Sequence, residues 1–188
     1  LSWKNTPPWR AIEVPSRRLI LDDRLMGVIA DLDVEEAVRY RPQGRTTFCN
    51  IFVTDVIRNC RIAAPDHWMN KGVPTQGHSH GEEYTANMLH DWFIEHGPKF
   101  GWKEVDEEGA KQHAAIGLVA VACWKNPDTR RRPGHIAVFR KDGLIAQAGF
   151  NNFEKGTLQQ GFGTASPIRF FAIDTYHMPH AAIGRPKK

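Results

Sequence analysis

TTFCNIFVTDV, Thr46 to Val56, decides how the rest of this chain is read. Phe48, Ile51, Phe52 and Val56 recur at helical spacing, and Cys60 extends the stripe by another turn. Asn50, Thr54, Asp55, Arg58 and Asn59 fill the polar side. Thr46 or Thr47 offers a hydroxyl N-cap, so the pattern predicts an amphipathic helix with Cys49 in its first turn. A thiol there meets N–H groups without helical partners and the positive end of the helix dipole, both of which favour the thiolate. Cysteines so placed have pKa values lowered to roughly 3.5–7.5. Cysteine is also a common small core residue, so this helix alone leaves Cys49 as nucleophile or as filler.

Working outward, residues 25–40 carry Leu25, Val28, Ile29, Leu32 and Val34 at spacings that predict helical turns, and Pro42 and Gly44 then break regularity. A loop rich in Gly, Pro and His spans Pro65 to Gly81. EEYTANMLHDWFIEHGP reads as a second helix, with Glu82 and Glu83 at its positive end and Met88, Leu89, Trp92 and Phe93 as its apolar stripe. Gly97 and Pro98 stop it. A third helix is expected from Asp106 to about Ile116. The pattern then changes to short apolar runs, LVAVACW, HIAVF, LIAQAG and PIRFFAI, with turn signals between them. Helices followed by hairpin-linked strands predict an α+β fold, with one layer of helices on one face of an antiparallel sheet. The expected division is an N-terminal arm and helix over residues 1–40, one domain over 41–176, and a flexible tail over 177–188.

PGHIAVF places His135 at the start of a strand, directly after a Pro-Gly turn. If Lys141, Asp142 and Gly143 form a three-residue hairpin loop, Phe139 opposes Ile145 and His135 opposes Gly149. Gln147 and Asn151 then share the face of His135, diagonal to it. A two-residue loop presents Phe150 and Asn152 there instead. In either register an amide side chain can hold the imidazole's tautomer and orientation. Cysteine nucleophile, histidine base and polar orienter together follow the logic of a catalytic triad.

Composition bounds the reading. With 188 residues, 41% apolar and 24% charged, the chain is long enough for one sizeable core. No apolar run is long enough to span a membrane. The first residues lack a signal peptide's apolar core and no initiator Met precedes them, which leaves a removed export signal open. A net charge of +4 loosely favours anionic partners. The cluster Arg130-Arg131-Arg132 reads as a solvated loop, without an accompanying nucleic-acid motif. Three cysteines without a CxxC argue against a disulfide framework or a structural zinc site.

The segments TFCNIFVTDV, PGHIAVF and IAQAGFNNF, in that order, resemble papain-like cysteine amidases of the NlpC and CHAP type over roughly residues 40–173. ANMLHDWF and WKNP also look like features of phage- and bacteria-encoded cell-wall hydrolases of this sort. The resemblance implies a papain-like fold and a hydrolase that cleaves a peptidoglycan amide through a thioacyl-enzyme, needing neither cofactor nor metal. It implies Cys49 as nucleophile and His135 as acid and base, with Gln147 or Asn151 as orienter and Asn152 a competitor. Asn50, Trp124 and Asn126 are the candidate substrate contacts. Two positions depart from the family pattern: Phe48-Cys49-Asn50 replaces the frequent Asp-Cys-Ser, and the third member is an amide where histidine is common. The implied partners are peptidoglycan stem peptides and an immunity or inhibitor protein, with no nucleic acid or membrane, for a monomer made in the cytoplasm and acting on the bacterial wall. The alternatives are a non-catalytic binding domain that keeps the fold, and a cysteine hydrolase of other amides.

Rival sites are weaker. His78, His80, Glu82 and Glu83 cluster, with His90 and His96 further on, but the pattern matches no HExxH-type signature and reads as a polar loop before a helix. Cys60, Cys123, Trp92, Trp102, Phe170 and Phe171 read as core. Asp174 is a remote alternative partner for His135, and the YHMPH stretch from Tyr176 to His180 reads as flexible.

Overall fold

In the computed structural model, which describes residues 20–62, 68–70, 73–74, 82–128 and 134–174, the cysteine-bearing helix α2 runs Cys49–Asn59. It follows α1, Ile20–Leu32, and a 3-10 turn at Val38–Tyr40. The helical pattern expected over residues 25–40 therefore breaks midway, where Asp33 takes a left-handed φ of 47° and ends α1. Neither Thr46 nor Thr47 caps α2. Thr46 is tied to Gln43 by two backbone hydrogen bonds in a tight turn, and Phe48 occupies the N-cap with no side-chain capping bond.

The loop after α2 builds a small antiparallel sheet from β1 (Trp68–Asn70), β2 (Val73–Pro74) and β3 (Glu82–Glu83). Glu82 and Glu83 thus pair with Met69 and Trp68 and do not open the second helix. That helix, α3, runs Ala86–Glu95, capped by the Thr85 side chain accepting from the Met88 N–H. His78, His80, Arg130 to Arg132, residues 1–19 and the stretch from Thr175 onward lie outside the described residues.

Six strands form the main antiparallel sheet in the order β4-β9-β5-β6-β7-β8. They are β4 (Trp102–Val105), β5 (Ala120–Trp124), β6 (His135–Phe139), β7 (Ile145–Gln147), β8 (Phe153–Gly156) and β9 (Ile168–Ile173). Helix α4, Glu107–Ala115, lies between β4 and β5 in sequence, and α5, Leu158–Phe162, between β8 and β9. The β6–β7 hairpin adopts the three-residue register, with Phe139 opposite Ile145 and Val138 opposite Ala146.

Strand alternation splits the core in two. Val121, Cys123, Ile136, Val138, Phe171 and Ile173 face one side, where α1, α2 and α3 pack through Leu25, Ile29, Phe52, Val56, Leu89 and Trp92. Burying each of these large side chains contributes about 1.5–3 kcal/mol. The intervening residues Ala120, Ala122, Ala137 and Ala172 face the opposite side, where Ala110 and Ala114 of α4 and Phe162 of α5 cover them. The fold is α+β, with N-terminal helices on a six-stranded antiparallel sheet, but the expected single helical layer is incomplete. The third predicted helix, α4, packs on the far face, where facing alanines leave room for close approach.

Candidate active site

Cys49 begins α2 and His135 begins β6, and α2 packs along β6. The Cys49 thiol and the His135 side chain hydrogen-bond, and the backbone of Ile136 and of Asn50 also hydrogen-bonds to the sulfur. Burial on its own raises the thiol pKa. The charge of His135, its hydrogen bond and the two backbone contacts outweigh that, so the pKa lies below the ordinary thiol value. The other thiols go the opposite way. Burial pushes Cys60 up to about 12, with Arg24 offsetting a little, and burial raises Cys123 well above the usual range.

Gln147 fixes the imidazole. Its Nε2 donates to the Asn151 carbonyl at 3.1 Å, which turns Oε1 towards His135 Nε2 at 2.6 Å. An amide oxygen only accepts, so His135 Nε2 carries the hydrogen of this bond, which leaves Nδ1 as the other ring nitrogen. Gln147 is 4% exposed, so water competes little for this bond. Two glycines make room for it. A Cβ on Gly161 would come within 2.7 Å of Gln147 Oε1, and one on Gly149 within 3.0 Å of Nε2. The Phe162 ring meets the imidazole edge-on, with centroids 4.9 Å apart.

The start of β6 is itself clamped by Asn87, in the first turn of α3. Asn87 Oδ1 accepts from the backbone N–H of Asn126 at 2.9 Å and of Gly134 at 2.8 Å, while Nδ2 donates to the Asn126 carbonyl at 2.9 Å. One buried amide thus ties together both ends of the connection leading into His135. A Cβ on Gly134 would overlap the Trp124 carbonyl and Asn87 Oδ1, so only glycine fits there.

A cleft of about 270 Å³ opens beside His135 and Gln147, lined also by Arg45, Thr46, Thr47, Trp124, Phe150 and Asn151 among others. Cys49 is 3% exposed and is not one of the lining residues. Of the residues singled out in the sequence, Cys49, His135 and Gln147 come together. Asn151 contributes its backbone carbonyl to Gln147, while its residue lines the cleft. Asn152 is elsewhere engaged: Nδ2 donates to the Val34 and Tyr40 carbonyls, both at 2.9 Å. Trp124 lines the cleft opposite His135 in the β5–β6 ladder.

Asn50 and Asn126 do not line the cleft and are engaged within the protein. The Asn50 amide donates to the Tyr84 carbonyl at 2.8 Å, and Asn126 is buried, with Oδ1 accepting from the Asp128 N–H. Asp174 accepts from Lys103 at 2.6 Å and has no place beside His135. His90 bonds Asp91 through Nδ1 at 3.0 Å. Sequence reading gave no role to Asn87, Arg45 or Phe162, and used Gly134 only as part of the Pro-Gly turn. Gly134 carried a usable signal, a glycine directly before a strand-initial histidine, whereas Asn87 shows its role only through partners 39 and 47 residues away. Compared with known proteins, the chain matches no family model and no curated protein.

Proposed function

We propose that the protein is a cysteine-dependent amide hydrolase of papain-like type that cleaves peptidoglycan peptides. The observation that carries this is the hydrogen-bonded series Cys49–His135–Gln147, with the thiol pKa lowered at a helix start. In the mechanism, the Cys49 thiolate attacks the scissile carbonyl carbon, and the oxyanion is received by the Cys49 N–H at the start of α2. The tetrahedral intermediate collapses as His135 Nδ1–H protonates the departing amine, leaving a thioester. His135 then takes a proton from water, which attacks the thioester and releases a carboxylic acid and the thiol. Gln147 keeps the imidazole in one orientation throughout, without supplying the charge that a carboxylate would.

The choice of peptidoglycan rests on the resemblance of TFCNIFVTDV, PGHIAVF and IAQAGFNNF to wall amidases, and loosely on the positive net charge. Amidase and stem-peptide endopeptidase activities use the same chemistry. Action on the bacterial wall, and control by an inhibitor protein, belong to the same proposal. The test is release of soluble muropeptides from purified sacculi. Wild type is expected to release them, and Cys49→Ala is expected to lose this activity while its thermal melt is unchanged. Release by the alanine variant at the wild-type rate would refute the nucleophile.

One observation favours a second reading, a binding domain that keeps the fold: Cys49 is 3% exposed. Under that reading wild type releases nothing, and the thiol shows no unusual reactivity.

A further inference from the structure

We propose that Arg45 is the carboxylate-recognising residue of the cleft, so that the acyl donor carries a free carboxylate close to the bond that is cut. This rests on the hydrolase reading and narrows its substrate class to anionic peptides.

The position is built, not incidental. Gln43 and Thr46 exchange two backbone hydrogen bonds, each 3.0 Å, across the turn Gly44-Arg45. Gly44 takes a left-handed φ of 59° there, which lets the turn close. Three residues later α2 begins with Cys49, so the turn and the sulfur belong to one short, backbone-held segment. Arg45, Thr46 and Thr47 all line the cleft.

The charge of the cleft points the same way. Among its described lining residues the ionisable groups are Arg45 and His135, and none is a carboxylate. Arg39 pairs with Asp55, Arg169 with Glu104 and buried Arg140 with Asp142 and Glu154. Arg24 donates to the Asn59 carbonyl, whereas exposed Arg61, which does not line the cleft, makes no ion pair among the described residues. Arg45 is exposed and makes no hydrogen bond or ion pair among the described residues. A guanidinium left without a partner on the wall of a cleft suits a bidentate carboxylate from the ligand. The Phe150 and Phe162 rings give the same cleft an apolar side against which a peptide backbone can lie.

The experiment uses full-length Cys49→Ala protein, which binds without turnover, and a matched pair of γ-linked stem peptides. One peptide has its α-carboxylate free and the other has it as the carboxamide. Calorimetric titration is expected to give about fivefold tighter binding of the acid, the scale of an exposed charge pair. Adding Arg45→Gln should bring the acid to the affinity of the amide and leave the amide unchanged, while Arg45→Lys recovers part of the preference. Equal binding of acid and amide, equal weakening of both by Arg45→Gln, or no binding of either peptide would each overturn the assignment. The hydrolase reading is judged separately, by wild-type turnover of intact sacculi, so its failure is distinguishable.

Discussion

Both ends of the Gln147 amide are committed, one to the Asn151 carbonyl and the other to the imidazole of His135. The side chain works through direction, since a neutral amide adds no charge to stabilise an imidazolium. Gln147→Ala is therefore expected to lower kcat by on the order of 10- to 100-fold, the scale of a misplaced catalytic group, with KM little changed. Asn151→Ala keeps the backbone carbonyl and is expected to stay within about threefold of wild type, because the geometry of Gln147 persists. Steady-state kinetics on a soluble muropeptide reads both, and equal losses in the two variants would contradict the assignment. At this scale the sequence carried Cys49 and His135 openly, through helix periodicity and a Pro-Gly turn. The orienter was legible only as a choice among three amides. What separates them is which one finds a carbonyl behind it, and no side-chain identity records that.

The element that matters most is the start of β6, because it aims His135. It is held by Asn87 from α3 and by the absence of a side chain at Gly134. Gly134→Ala must displace the Trp124 carbonyl or Asn87, and is expected to cost about 3 kcal/mol or more by chemical denaturation. Asn87→Asp keeps both accepted hydrogen bonds and loses the donated one, so it should be milder than Asn87→Ala, which leaves buried backbone groups unpaired. The ordering of kcat, wild type above Asn87→Asp above Asn87→Ala at similar KM, identifies Asn87 as a positioning residue. The reverse ordering would make it a packing residue alone. Sequence patterns found β5, β6, β7 and β9, whose residues are largely apolar, and overlooked β4 and β8. Those two are the sheet's edges. WKEV and FEKG carry charge at their centres, as exposed strand edges do to avoid pairing with other chains. Their strand character comes from the neighbour they pair with, not from their own composition.

Across the whole molecule, Asn152 joins distant parts. It donates to carbonyls 112 and 118 residues earlier and accepts from the Gly149 N–H at 3.0 Å. The N-terminal segment at Val34–Tyr40 is thereby stitched to the loop that follows β7. Asn152→Asp sets a carboxylate oxygen against two carbonyl oxygens and is expected to destabilise the fold by about 2 kcal/mol. That corresponds to a fall in Tm of roughly 4–8 °C for a chain of this size, with activity per folded molecule retained. An unchanged Tm would show that the two segments are held otherwise. The fold class was readable because helices precede strands. The two-sided covering of the sheet was not, since Ala110 and Ala114 look like ordinary helix formers until Ala120, Ala122, Ala137 and Ala172 are found beneath them.

The central claim is that His135 lowers the pKa of the Cys49 thiol and so favours the thiolate. Its most direct test is the pH dependence of Cys49 alkylation by iodoacetamide, followed site by site by mass spectrometry in wild type and His135→Ala. Because the folded pKa is lowered, the thiolate should persist as pH falls past the ordinary thiol value, roughly 8.5, and be lost only at lower pH. Removing His135 leaves burial acting on the sulfur, so the midpoint should move upward, while Cys60 and Cys123 stay unlabelled in the folded protein. A wild-type midpoint at or above the ordinary value, unmoved by His135→Ala, would contradict the account.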